Sequence, residues 1–258
     1  MTERPSKDHD NAEAGASPRP PAVEEPRRVV LGAVHNMRDL GGLETADGRV
    51  VRSGVLFRSD MLKHATGSDL ERIGALGLRT VIDLRRPDEI ALHGHFEAEG
   101  VDYRHLELRH LRWELFEQEP ATHDERVLFL RQRYSGFLES GSDAIRESLD
   151  LITNQSPTLV HCIAGKDRTG IVVAVTLGLL GVAEADIAAD FALTASGQQR
   201  YQAWAEREGL EVFRGLTTPE EAMLGTLQEL RSRYGSFEGY ARIIGFADVD
   251  KLKDALLD

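Results

Sequence analysis

The sequence predicts an α/β fold: a mostly parallel central sheet flanked by helices, followed by an all-helical C-terminal part. Short apolar, β-prone runs alternate with segments of helical periodicity from the N-terminal region onward. The run Thr158–His161 suits a buried strand, and residues 169–180, apolar on nearly every face, suit a buried helix. Beyond that helix no strand pattern returns. With 258 residues and 41% hydrophobic content, one sizeable core is expected, in a single domain spanning 29–258.

Residues 1–28 hold five of the nine prolines and no aromatic residue, which predicts an unstructured tail. Segments 29–34 and 50–58 read as strands, with a tight turn at Gly41-Gly42 between them. Ser68-Asp69-Leu70-Glu71 is a capping box that opens a helix through Leu76, closed by Gly77. Residues 78–84 read as a parallel strand, Pro87 starts a short helix to about Leu92, and 101–108 supply another strand. Residues 123–154 are helical with a break near Gly141, before the strand that ends at Cys162. Helices then follow at 169–181 and 183–194. Thr218-Pro219-Glu220-Glu221 opens a further one, whose Met223, Leu227, Leu230 and Tyr234 form a core stripe. Between these, 196–217 carries Tyr201, Trp204 and Phe213 among polar residues.

The strand-to-helix junction at 161–170 reads His-Cys-Ile-Ala-Gly-Lys-Asp-Arg-Thr-Gly and holds the chain's only cysteine. Unpaired N–H groups and the positive dipole end at a helix N-terminus favour an anion, and Gly165 and Gly170 allow tight curvature. The same field favours the thiolate of Cys162. Arg168 adds a planar fork able to hold two phosphate oxygens, with the sulfur behind phosphorus and in line with the leaving oxygen. Attack gives a phosphocysteine that water hydrolyses, and Thr169 can donate its hydroxyl to the departing sulfur. A bare C-x5-R pattern is common by chance; the surrounding residues and the readable strand-loop-helix context make this one specific.

The loop resembles the signature HC-x5-R-[ST] of the cysteine-dependent protein tyrosine phosphatase superfamily, and in particular a bacterial branch with HCxxGKDRTG. Three further stretches are similar to landmarks of that branch, in the same order: 36–42 (Asn-Met-Arg-Asp-Leu-Gly-Gly), 51–60 (Val-Arg-Ser-Gly-Val-Leu-Phe-Arg-Ser-Asp) and 80–86 (Thr-Val-Ile-Asp-Leu-Arg-Arg). The resemblance covers roughly 29–245. It implies a phosphatase-like fold, no metal or other cofactor, and phosphate binding by Cys162, Ile163, Ala164, Gly165, Lys166, Asp167 and Arg168. It implies activity on phosphotyrosine, with phosphoserine, phosphothreonine and phosphoinositides as further substrates. The partner is then a phosphorylated protein or a phosphoinositide. In the resembled branch the region matching 196–217 can form a helical lid; a plain surface helix pair is the alternative.

Many tyrosine phosphatases protonate the leaving oxygen from a Trp-Pro-Asp loop, and this chain has no such triplet. Asp167, inside the loop, is the first candidate acid, with pairing to Lys166 as its structural alternative. Asp83, ending the neighbouring strand, either acts as acid or orients Arg168, and Asp60 is a distant third. Lys166 either meets a second phosphate or pairs with an acid. Asn36, Arg38, Asp39 and Arg58 are candidates for substrate or loop support, and Arg85 and Glu89 share that ambiguity. His93, His95, His105 and His110 include an H-x-H spacing, but without a carboxylate-histidine helix motif they read as ordinary loop and strand residues.

A formal charge of −12 lies almost wholly outside the tail and argues against binding nucleic acid or inserting stably in an anionic membrane. One cysteine excludes an intramolecular disulfide and a multi-cysteine zinc site. With no apolar signal region at the N-terminus, the expected location is cytoplasmic, or outside by a route without a classical signal peptide. Two other readings compete with catalysis: a phosphate-binding module that kept the loop, and a redox sensor built on the lone reactive thiolate.

Overall fold

A computed structural model describes residues 27–109, 120–210, 212 and 217–258. Its five-stranded sheet has the order β1-β2-β5-β3-β4, with β1 Arg38–Asp39, β2 Leu56–Ser59, β3 Thr80–Asp83, β4 Asp102–His105 and β5 Thr158–His161. Strands β2, β5, β3 and β4 run parallel, and only β1 is antiparallel. Ser59, His161, Asp83 and His105 stand in register at the strand ends. The C-terminal ends of the strands thus form one flush edge, where an open α/β sheet presents its ligand site.

Period-2 alternation divides the central strands between two cores. Leu56, Ile82 and Val160 join the larger one, together with α3 His123–Ser140, α4 Ser142–Gln155, α5 Asp167–Leu180, α8 Glu220–Tyr234 and α10 Val249–Leu256. Phe57, Val81 and Leu159 face the smaller one, with Leu31, Val34, Met37 and Ile73 of α1 Gly67–Gly74. Helix α5 is buried from Arg168 to Leu180, as its all-round apolar sequence requires. The remaining helices are α2 Pro87–His93, α6 Glu184–Ala192, α7 Thr194–Arg207 and α9 Phe237–Ile243. No helix among the described residues is long and apolar enough to cross a membrane.

The strand expected at 29–34 does not form. The Gly32 and Ala33 amides donate to the Asp69 carboxylate at 2.6 and 3.0 Å, and those of His35 and Asn36 donate to Asp60. Buried carboxylates satisfy this segment's backbone in place of a ladder. The expected strand at 50–58 is cut to Leu56–Ser59 because Gly54, at φ 77°, turns the chain. Helix α1 starts two residues earlier than its Ser68 box predicts. Thr66 caps it with Asp69, the residue that also holds the 32–33 backbone. The break falls at Gly141, as expected, and only glycine fits there, since a Cβ would lie 2.4 Å from Leu108 Cδ1.

Candidate active site

Strand β5 delivers Cys162, and α5 begins at Asp167, so residues 162–166 form a loop hung between a buried strand and a buried helix. Gly165 is required there twice over. Its φ is +63°, and a Cβ would lie 2.3 Å from the Ser59 carbonyl oxygen.

Three consecutive carbonyls of the loop are drawn outward. Ile163 O accepts from the Met61 amide at 2.9 Å, Ala164 O from Asn36 Nδ2 at 2.9 Å, and Gly165 O from Arg58 Nη2 at 2.7 Å. Within a trans peptide the N–H points opposite to the C=O. The amides of Ala164, Gly165 and Lys166 therefore face the loop's interior, a concave set of donors for an anion. Cys162 lies at its base, 3% exposed.

The residues that hold those carbonyls are themselves fixed. Arg38 Nη1 donates to Asn36 Oδ1 at 2.6 Å, and Arg38 and Arg58 both reach the Asp190 carboxylate of α6, at 3.0 and 2.8 Å. Arg27 joins them at 2.9 Å. Burial opposes the charge on Asp190, but the arginines outweigh it and hold its carboxyl well below the usual range. Burial, with Arg38 alongside, lowers the Arg58 guanidinium to about 10. Arg38, Arg58 and Asn36 are thus loop supports. Asp39 supports elsewhere, accepting from the Gly41 and Gly54 amides.

Arg168 is held by Glu89 of α2 in a two-pronged pair, with Nη1 to Oε2 at 2.5 Å and Nη2 to Oε1 at 2.9 Å. Burial disfavours its charge, yet Cys162 and Glu89 outweigh that and raise its pKa above the ordinary guanidinium value. The fork is held in place before a ligand arrives. Thr169 Oγ1 is buried with no hydrogen-bond partner among the described residues.

Among the described residues Asp83 makes no hydrogen bond to Arg168. Its carboxylate is fully buried and accepts from Arg85 Nη2 at 2.6 Å and from the Tyr103 hydroxyl at 2.7 Å, with His161 Nε2 at 3.8 Å. Burial penalises the anion, but His161, Arg85 and Tyr103 outweigh it and hold Asp83 ionised. Asp60 is likewise committed to the 35–36 backbone, and its burial raises its pKa. Lys166 is 3% exposed with Nζ 3.6 Å from Asp167 Oδ1, so its cation is turned to that carboxyl group. Asp167 also accepts a 2.6 Å hydrogen bond from the Tyr134 hydroxyl of α3.

The histidines stand apart from one another in role: His105 meets the Arg85 carbonyl, His93 pairs with Lys63, and His95 with Glu97. His110 and Phe213 lie outside the described residues. Sequence reasoning missed Asp190 and Tyr134, and left Glu89 ambiguous. Asp190 sits in an ordinary amphipathic helix and Tyr134 in a periodic run, so neither carried a local signal.

A thiol at the base of an inward-facing amide loop, beside a clamped arginine at a helix N-terminus, defines a phosphate-handling enzyme site. The chain belongs to the tyrosine phosphatase family, whose sequence profile matches residues 29–258, and it is a phosphatase. It is 33% identical over 252 residues to a protein of Cupriavidus necator provisionally named a tyrosine-protein phosphatase, covering 93% of this chain and 88% of that one. The triple specificity protein phosphatase PtpB of Mycobacterium tuberculosis is 26% identical, with 88% and 98% covered. A tyrosine-protein phosphatase of Nostoc commune is 28% identical, with 77% and 72% covered.

Proposed function

We propose that this phosphatase hydrolyses phosphotyrosine in proteins through a phosphocysteine on Cys162. The observation that supports the reading is the set of bonded carbonyls at 163–165, which leaves the loop's amides directed inward between Cys162 and the start of α5, where Arg168 stands. The equatorial phosphate oxygens take the loop amides and the Arg168 fork, and the sulfur attacks in line with the leaving phenoxide. Asp167 donates the proton to that oxygen, and then accepts one from the water that releases phosphate. Thr169, whose hydroxyl has no hydrogen-bond partner among the described residues, donates to the sulfur as the S–P bond breaks. Asp83, ionised against Arg85 and Tyr103, holds the strand end and does not supply the proton.

The buried, acid-facing Lys166 favours a monophosphorylated group over a doubly phosphorylated ring. The triple specificity named for the M. tuberculosis protein phosphatase supports carrying phosphoserine and phosphothreonine into the test, and the expected phosphoinositide activity is tested beside them. Phosphotyrosine peptide, phosphoserine peptide and phosphoinositide are offered to wild type and to Cys162→Ser, with and without chelator. The expected result is chelator-insensitive hydrolysis with the highest kcat/KM for phosphotyrosine, at background in the mutant. An inert wild type, or an active Cys162→Ser, overturns it.

A further inference from the structure

We propose that Tyr134 is the positioning residue for the acid: its hydroxyl fixes the Asp167 carboxyl so that the transferable proton resides on Oδ2. This rests on the reading of Asp167 as general acid.

The Tyr134 side chain is locked. It is fully buried in α3, its ring stacks near Phe137 with centroids 6.1 Å apart, and it meets Phe191 edge-on at 5.9 Å. Burial first, and then the neighbouring Asp167, push the phenol well above its ordinary pKa. The group is a neutral O–H, and it donates to Asp167 Oδ1 at 2.6 Å. Lys166 Nζ approaches the same oxygen at 3.6 Å. Both donors converge on Oδ1, and among the described residues Oδ2 accepts no hydrogen bond. A proton on Oδ1 would face a hydroxyl and an ammonium; a proton on Oδ2 meets neither. The Asp167 side chain keeps 20% of its surface exposed, so Oδ2 is the oxygen left to reach a substrate.

The proton accounting follows. As the thiolate pair forms the S–P bond and the P–O bond breaks, the Oδ2 proton passes to the leaving oxygen and the product departs as an alcohol or phenol. The resulting carboxylate is stabilised by the Tyr134 O–H. In the second step a water oxygen bonds to phosphorus, its proton returns to Oδ2, and the S–P pair returns to sulfur.

Tyr134→Phe keeps the ring and removes only the donor. The expected kcat/KM for a phosphotyrosine peptide falls about tenfold, and p-nitrophenyl phosphate, whose leaving group needs little protonation, changes by about twofold or less. Because the O–H favours the carboxylate, its removal moves the descending limb of the kcat/KM–pH profile to higher pH. In an Asp167→Asn background the same change has no further effect. Should Tyr134→Phe not fold, 3-fluorotyrosine placed at 134, a stronger donor, moves the limb to lower pH. A variant at Tyr134 with wild-type pH limb and wild-type leaving-group dependence, in a protein where Asp167→Asn loses that limb, overturns this proposal alone. An Asp167→Asn enzyme that keeps the limb overturns the acid assignment beneath it.

Discussion

At the residue scale, the proposed chemistry depends on Arg168 and Asp167 being held in place before substrate arrives. Glu89 holds Arg168 through two hydrogen bonds, so Glu89→Ala is expected to lower kcat/KM about 10-fold or more without abolishing Cys162 alkylation, as compared by steady-state kinetics and iodoacetamide labelling. Asp167→Asn is expected to lower kcat/KM for phosphotyrosine about 10²-fold and to lose the basic limb of the pH profile. Asp83→Asn is expected to keep that limb. Retention of the limb in Asp167→Asn together with its loss in Asp83→Asn would reverse the assignment. Cys162, Arg168 and Asp167 were legible in the sequence because all lie within one short run at a readable strand-to-helix junction. Glu89 was legible only as an ambiguous candidate, and Asp190 and Tyr134 not at all, because Glu89 and Tyr134 reach Arg168 and Asp167 from elements distant in sequence and Asp190 acts through Arg38 and Arg58.

At the scale of elements, the loop's shape depends on how closely its neighbours approach. Gly165 lies against the β2 end and Gly197 of α7 against Asn36, where a Cβ would lie 2.8 Å from Asn36 Oδ1. Gly165→Ala is expected to cost about 10²-fold in kcat/KM, since it displaces the loop by the order of an ångström. Helix α7 rests on the Asn36 segment through Gly197, the Arg200 bond to the His35 carbonyl, and Trp204 against His35 and His64. The lid expected at 196–217 remains a proposal, and only 196–210, 212 and 217 of it lie among the described residues. If it forms, amide exchange across 197–204 slows with bound vanadate; exchange unchanged by vanadate would count against it. Element order was readable from periodicity, but the 29–34 strand was not correctly read. Val29 to Val34 is a short, continuous apolar and β-prone run, as a buried strand's is, and nothing local shows that Asp60 and Asp69 will take its amides.

At the scale of the whole molecule, the cluster of Arg27, Arg38 and Arg58 on Asp190 ties the N-terminal segment and β2 to α6. Asp190→Asn leaves buried arginine charge uncompensated and is expected to cost about 3–5 kcal/mol, measurable by denaturant unfolding. Stability should also fall with acid in two stages. Burial, reinforced by Arg200 and Arg28, lowers His35 to about 4, below its unfolded value near 6.5. The unfolded chain therefore binds this proton more readily, and the contribution present above about pH 6.5 is lost as pH falls toward 4. Asp83 and Asp190, held below the ordinary carboxylate range, contribute fully above about pH 4 and lose that contribution at lower pH. Thermal melts across this range test the order; a Tm independent of pH between 6.5 and 4 would contradict the His35 account.

The central claim is that hydrolysis passes through Cys162, within a loop that also supplies its own acid. Its most direct test is rapid acid quenching of the enzyme turning over a phosphotyrosine peptide, followed by mass spectrometry of the fragment containing residue 162. One phosphoryl group is expected on Cys162, and none on the same fragment of Cys162→Ser. Turnover with that cysteine unmodified at every quench time, and retained by Cys162→Ser, would contradict it.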